Sequence, residues 1–432
     1  MSIDVLKGKR LLLIPASREM YAIVERAKQL GIYTIVTDFY TSWDESPAKK
    51  IADEAYDISF NDLDALAVLC EEKHIDGVFS AFSEFSVMAA AKLCERIGKP
   101  FYASVKQLEI MRNKAMFKAL CEANGLKTVK EFKIDLTDLD GSIRAVEYPV
   151  VVKPVDNGGS RGITVAYDEE MLRNSIEYAL SFSASKEIIV EKYMSGQECN
   201  LTYSLQNGNV VLSAISDSQL SRTEHGHLNL PYAWLYPSRY YKRCLEEVDD
   251  KVKKMFQSIG MTDGSCFMQC FAEKDGFYFF EAGYRVGGGM NYILQNHKYG
   301  KNYLDLMLCY SITGDSTALY DLDYDDFESF TPCGNLIIVL NGGVIAKYIG
   351  FEEISRIPGV LDVGRLKPVG TEIKNTGNYG QYLCRIIIMA ESPEHFADIV
   401  DQIYQTVDVL DENGSSMLLG KFDTDIIRTY WN

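Results

Sequence analysis

An apolar run, Tyr148-Pro149-Val150-Val151-Val152, ends in Lys153-Pro154 and leads into Asp156-Asn157-Gly158-Gly159-Ser160-Arg161-Gly162. Glycines let backbone amides come close to anionic oxygens, the Ser160 hydroxyl adds a donor, and Lys153 and Arg161 add positive charge. That is the chemistry of a loop able to close over phosphates. An ordinary hairpin turn would use the same glycines, but the two cations and the motifs that follow favour the phosphate reading. A later strand-like run enters Glu191-Lys192-Tyr193-Met194-Ser195-Gly196-Gln197-Glu198. Such a connector can offer N–H and C=O groups to the edge of a base, and Glu198, beyond a glycine turn, can accept from ribose hydroxyls. Taken alone, an exposed glutamate is usually only solvated surface.

Gln269 and Glu281 fall on the two arms of one apparent hairpin, residues 267–280, with Glu273-Lys274-Asp275-Gly276 at its turn, so their side chains can lie opposite each other. Oxygen donors on adjacent strands suit magnesium, which takes few protein ligands and completes its shell with water and phosphate. Glu281 follows Phe277-Tyr278-Phe279-Phe280, where an unpaired charge is costly, so a cation must answer it. Arg285 stands four residues on, placed to neutralise a transferring phosphoryl group; an ion pair with Glu281 is its bland alternative. Two fainter substrate candidates remain. His225 and His227 lie in an irregular stretch, and Glu84 stands at a strand end, where it could bind an amino group or simply serve a helix N-terminus.

The elements that must hold these residues follow from periodicity. Residues 10–14, 32–37 and 75–80 read as buried strands, and 19–30, 63–74 and 85–97 as helices, so the first 110 residues form βαβ units of a parallel sheet. Ligands of such a sheet sit beyond its carboxyl ends, where Pro15, Ser17, Asp38 and Glu84 fall. The first turn has no GxGxxG, which removes the main support for a dinucleotide site. Strands at 187–192, 199–205, 210–216, 265–273 and 276–281 predict an antiparallel sheet, with a helix at 245–259 and a loop over 217–241. An acidic stretch at 321–326 precedes strands near 334–341, 344–351 and 383–390 and a helix at 393–406.

At 432 residues, 47% of them hydrophobic and 24% charged, the chain is long enough for about three ordered domains. A formal net charge of −17 disfavours nucleic acid and anionic membranes as partners. The N-terminus lacks the apolar core of a secretory signal and no stretch reaches the length of a membrane span, which predicts a cytoplasmic protein. Ten scattered cysteines show no zinc spacing and read as reduced core thiols.

Taken in order and spacing, Lys114, Val152-Lys153-Pro154, the 158–162 loop, Glu191-Lys192-Tyr193-Met194, Glu198, Gln269 and Glu281 to Arg285 resemble the ATP-grasp superfamily. The resemblance covers essentially the whole chain and is similar to L-amino acid ligases and biotin carboxylase. It implies a three-part architecture of α/β and α+β class. Residues 1–111 would be a parallel α/β domain, 112–320 the ATP-grasp antiparallel sheets, with a lid at about 112–190 and a metal-site part at about 191–320, and 321–432 a C-terminal α+β domain. Lys114, Lys153, Gly158, Gly159, Ser160, Arg161 and Gly162 would then hold ATP phosphates, Glu191 with the Lys192 and Met194 backbone the adenine, and Glu198 the ribose. Gln269 and Glu281 would hold Mg2+ (or Mn2+), with Arg285 steadying an acyl phosphate. Two departures stand out. The first metal position, usually Glu, is Gln269, and the Glu-x-Asn-x-Arg pattern is Glu281-Ala282-Gly283-Tyr284-Arg285, without the ligand at 283. The implied activity is ATP-dependent joining of a small carboxylate to an amine, in a possible homodimer. A bicarbonate-using carboxylase or carbamoyl phosphate synthetase type, or a nucleotide-binding regulatory protein without turnover, are the alternatives.

Overall fold

The computed structural model describes residues 3–155, 162–220, 230–322 and 331–431. The first domain is built on four parallel strands in the order Glu54–Tyr56, Tyr33–Thr37, Arg10–Leu13, Gly77–Phe79. Successive side chains of a strand point to opposite faces, and here both faces are buried. Leu11 and Leu13 join the main core beneath the helix Met20–Gln29, while Leu12 and Ile14 pack with Leu66, Leu69 and Leu93 from the other side. Two-sided burial explains why these strands read as unbroken apolar runs.

A small antiparallel sheet follows, ordered Glu131–Phe132, Ile188–Lys192, Val150–Pro154, Thr164–Ala166 and covered by the helix Glu169–Phe182. Val150, Val152, Leu172, Ile176, Ala179 and Val190 form its separate core. The expected glycine turn at Gly158, Gly159, Ser160 and Arg161 lies outside the described residues, and Gly162 is its first described position.

The centre of the molecule is a nine-stranded sheet. Its order is Val360–Val363, Tyr382–Met389, Cys333–Val339, Pro231–Tyr236, Asn209–Leu220, Gln197–Gln206, Gly264–Glu273, Gly276–Gly283, Lys127–Thr128, antiparallel except for the last pair. The strands Pro231–Tyr236 and Cys333–Val339 pair directly, so one sheet runs on from the second part of the chain into the third. A helix, Pro393–Thr406, with the shorter Thr424–Tyr430, covers the far half.

Two sequence expectations need correction. Among its described residues much of the predicted loop at 217–241 is strand: Asn209–Leu220 runs into it and Pro231–Tyr236 is a central strand. Its Ala233 and Leu235 face one core while Trp234 and Tyr236 face the other, so no polar alternation marked it. His225 and His227 lie outside the described residues. The helix expected at 245–259 begins earlier, at Tyr241–Cys244, and continues through one wider turn at Leu245–Asp249 into Asp250–Ser258. The Gln269/Glu281 hairpin forms as expected. All ten cysteines are buried and free of disulfides, and among the described residues no helix is long and apolar enough to cross a membrane.

The first domain is fastened to the hairpin by a reciprocal pair of tyrosines. Tyr102 Oη donates to the Tyr284 carbonyl at 3.0 Å, and the buried Tyr284 hydroxyl faces the carbonyls of Tyr102, at 3.1 Å, and Asp263. Their rings meet edge to face at 5.2 Å. Tyr284→Phe strips buried acceptors of their donor, and unsatisfied groups of that kind cost about 1–3 kcal/mol. The expected outcome is a lowered denaturant midpoint, measured by chemical unfolding with intrinsic fluorescence.

Candidate functional site

Strand register gathers polar side chains onto one face of the large sheet. Asn200 lies opposite Gln269, and Gln269 opposite Glu281, on three neighbouring strands. Glu198, two residues before Asn200, shares that face, and across the next strand Ser218 is paired with Trp234. The groups are wired together. Gln269 Nε2 donates to Asn200 Oδ1 at 2.9 Å, and Asn200 Nδ2 donates to Ser218 Oγ at 3.0 Å. Trp234 Nε1 donates to the same Oγ at 3.1 Å, and Ser218 in turn donates to Glu198 at 3.0 Å. With its amide nitrogen committed to Asn200, Gln269 has its carbonyl oxygen left to offer. Desolvation pushes the Glu198 carboxyl up, Ser218 opposes this, and the nearby Glu281 charge adds to it.

Above this row stand the cations. Lys114, at the start of the helix Lys114–Ala123, brings Nζ to 4.0 Å from Glu281. Lys153, buried at the end of its strand, projects over the Phe280 ring at 5.7 Å, one residue from Glu281. Phe280 and Phe271 stack at 4.9 Å, both partly exposed, and make a flat apolar floor beneath the lysine. Lys153 and Glu281, more than a hundred residues apart in sequence, thus come together where the small sheet meets the large one.

The Glu191 side chain does not face this junction as a free acceptor. It is buried between the ammonium groups of Lys153 and Lys118, and Lys118 also reaches Glu131 at 3.3 Å and the Val129 carbonyl at 3.2 Å. Burial alone would raise the Glu191 carboxyl, but the two lysines prevail and hold it below the usual carboxylate range. The following connector is pinned as well: the Lys192 amide donates to the Lys130 carbonyl at 2.9 Å and the Tyr193 amide to that of Pro149 at 3.0 Å. Met194 stands partly exposed just beyond.

Arg285 does not pair with Glu281. Its Nε donates to Glu84 Oε1 at 2.8 Å, and its guanidinium lies over Phe267 at 4.9 Å. Glu84 opens the helix Glu84–Ile97 of the first domain, where burial raises its carboxyl, Arg285 opposes, and Glu281 adds to the rise. The departure at position 283 acquires a physical cause here. A Cβ on Gly283 would lie 2.7 Å from Glu84 Oε1 and would overlap the Phe267 ring. Phe267 of the neighbouring strand, with Glu84 of the first domain behind it, fills the space a side chain at 283 would need. One carboxylate, Glu281, and one carbonyl, Gln269, suit a magnesium ion that keeps water and phosphate ligands. No group of three or more His, Cys, Asp or Glu positioned to hold a metal occurs among the described residues.

Sequence reasoning passed over Lys118, Asn200, Ser218 and the Phe271/Phe280 floor. Lys118 carried a usable signal, since it stands one helical turn after Lys114 on the same face.

Comparison with known proteins adds the following. Residues 128–283 match the family described as D-ala D-ala ligase C-terminus. The formate-dependent phosphoribosylglycinamide formyltransferase of Methanocaldococcus jannaschii is 26% identical over 263 residues, covering 59% of this chain and 65% of that protein, just under two thirds of its length. The crystal structure of the L-amino acid ligase from Bacillus licheniformis superposes with a TM-score of 0.77 at 21% identity, covering 94% of this chain and 100% of that one. The biotin carboxylase domain of the Hydrogenobacter thermophilus 2-oxoglutarate carboxylase, solved with MgADP, ADP and bicarbonate, gives 0.72 at 21% identity over 98% of this chain and 93% of the other.

The Glu191 arrangement predicts a definite acid response. A carboxyl lowered by folding stabilises the fold above its unfolded value of about 4.3 and loses that contribution as pH falls through the lower folded value. Glu191→Gln leaves the buried Lys153 ammonium without a counter-charge and Lys118 with Glu131 alone, a change that costs about 3–5 kcal/mol near neutrality. The gap between the wild type and this variant, measured by denaturant unfolding from pH 7 downward, should narrow below about pH 4.

Proposed function

Since residues 128–283 form an ATP-grasp domain within a chain of that superfamily's fold, we propose that the protein is an ADP-forming ligase that activates a small carboxylate as an acyl phosphate and transfers the acyl group to an amine. One observation carries this reading: Lys114, 4.0 Å from Glu281, and Lys153, over the ring of the preceding Phe280, converge on one strand from two different elements. The substrates and ligands of the relatives, among them ADP with magnesium, lend support.

In this reading the Phe271/Phe280 floor carries the nucleotide, the Lys192 carbonyl and Met194 backbone meet the adenine, and Glu198 receives the ribose hydroxyls. The polar row and the two lysines then hold the phosphates in line with the carboxylate. Glu281 and the Gln269 carbonyl hold the divalent ion, which supplies charge neutralisation at the phosphates. Lys153 has a second task. It shares Glu191 with Lys118, so its ammonium is oriented in advance and meets the phosphates without a large reorganisation. Arg285 neutralises charge on the transferred phosphoryl group and is oriented for it by Glu84. Gly158, Gly159, Ser160, Arg161 and Gly162 would close over the triphosphate, excluding the water that hydrolyses an acyl phosphate. Homodimer formation is part of the same proposal.

Phosphate release is the deciding measurement, made with ATP, Mg2+ and a matrix of amino acids and organic acids, with and without bicarbonate. An amine-dependent signal without a bicarbonate requirement is expected. Glu281→Ala and Arg285→Ala should each lower it by about 10²–10³-fold, the usual loss when a preorganised charge is removed. A signal indifferent to both variants refutes the site, a strict bicarbonate requirement assigns carboxylase chemistry, and nucleotide binding without turnover assigns a regulatory role.

A further inference from the structure

A cavity of about 590 Å³ lies between the first domain and the far half of the large sheet, with Ser17, Ser83, Gly288, Asp362, Arg365 and Arg385 among its walls. Gly288, three residues past Arg285 in the chain, lies in its wall.

Arg385 projects from the strand Tyr382–Met389, its guanidinium over the Trp234 ring at 5.4 Å and 3.2 Å from where a Cβ on Gly288 would stand. Its Nε is buried without a hydrogen-bond partner, and among the described residues no carboxylate lies within ion-pair distance of its side chain. A partly buried cation left unanswered costs free energy. In a chain with 61 acidic residues against 44 basic ones, a counter-charge was available in plenty.

Asp362 is the complementary case. It lies on the adjacent strand, paired with Ile387, so it and Arg385 occupy diagonal positions on one sheet face, with Cα atoms roughly 7–8 Å apart. Burial raises its carboxyl, Glu25 adds to the rise and Arg365 opposes it, and among the described residues its side chain makes no hydrogen bond. The other wall cations are engaged. Arg365 lies 3.6 Å over Tyr21 and 3.8 Å from Glu25, and Arg18 rests on the carbonyls of Arg365 and Leu383 at 3.4 and 3.5 Å. Among the described residues the cavity therefore holds one cation and one carboxyl without an ion-pair or hydrogen-bond partner, near each other on one wall yet not joined to each other.

We propose that Arg385 and Asp362 are a receptor for a small zwitterion, an α-amino acid, with its carboxylate on the Arg385 guanidinium and its ammonium on the Asp362 carboxylate. The zwitterion's role as a substrate rests on the ligase reading above; its binding does not.

Trp234 reports on the site directly. In the full chain with Trp43→Phe and Trp431→Phe, Trp234 is the one remaining tryptophan, and its emission is followed while each proteinogenic L-amino acid is added. The carboxamide and the deaminated acid of any responder are titrated next, then inorganic phosphate. At least one amino acid should give a saturable change, with its carboxamide and its deaminated acid each binding about tenfold more weakly, some 1.4 kcal/mol. Arg385→Met should abolish the response and Arg385→Lys keep a weakened one. Asp362→Asn should bring the amino acid down to the affinity of the deaminated acid and leave that acid's own binding unchanged. Silence to every amino acid, equal binding of the carboxamide, an unaltered response in Arg385→Met, or a response to phosphate alone overturns the proposal. Silence together with Glu281-dependent phosphate release removes the receptor and spares the ligase reading; amino acid binding without phosphate release does the opposite.

Discussion

In an antiparallel sheet a slip of one residue sends every side chain of a strand to the opposite face. The large sheet here holds Glu198 and Asn200, Ser218, Trp234, Gln269 and Glu281 on one side only because five strands keep a common register. On the other side Cys199, Leu201, Met268 and Cys270 are buried in the main core. Shifting any one of these strands would bury amides and carboxylates among them and leave apolar groups at the site. Packing of the core and assembly of the site are therefore the same event, and the Ser218 hydroxyl, with bonds to three neighbours, ties the row across strands that the backbone ladder alone would leave chemically independent.

The charges of the site are arranged against an unfavourable background. A chain of net charge −17 repels nucleotides at long range, so attraction has to be local. In the proposed reading Lys114 and Lys153 would supply it from two elements of the chain, and the buried Glu191 carboxylate shared by Lys153 and Lys118 offsets the repulsion between those two like charges. A buried pair of this kind contributes little net stability compared with an apolar substitute; what it secures is the position of an ammonium group that would otherwise sample many rotamers.

Much of the architecture was legible in the sequence. The βαβ pattern of the first domain, the Gln269/Glu281 hairpin and the helix at 393–406 follow from periodicity and turn chemistry, which are local signals. The strand Pro231–Tyr236 was not, because a strand buried on both faces loses its alternation, and neither was the direct continuation of the sheet into the last part of the chain, which depends on contacts about a hundred residues apart. At the site, motif residues such as Lys153 and Glu281 announced themselves by type and spacing. Their partners did not. The bonds from Lys118 to Glu191, from Arg285 to Glu84 and from Asn200 to Ser218 join distant segments, and Ser and Asn are too common for their presence alone to point to a site.

The contact between Glu84 and Gly283 bears on how such a chain could be dismantled. The carboxylate nearest to position 283 belongs to the first domain and is the one that Arg285 grips. A fragment beginning after residue 111 would keep every nucleotide motif yet expose the Phe267 face and leave Arg285 a stranded charge. A chimaera that borrowed this half would need a donor domain with an acid at the same helix start, because Phe267 keeps position 283 closed to a larger residue. Modularity, so often assumed for chains built of successive domains, stops here at one glycine.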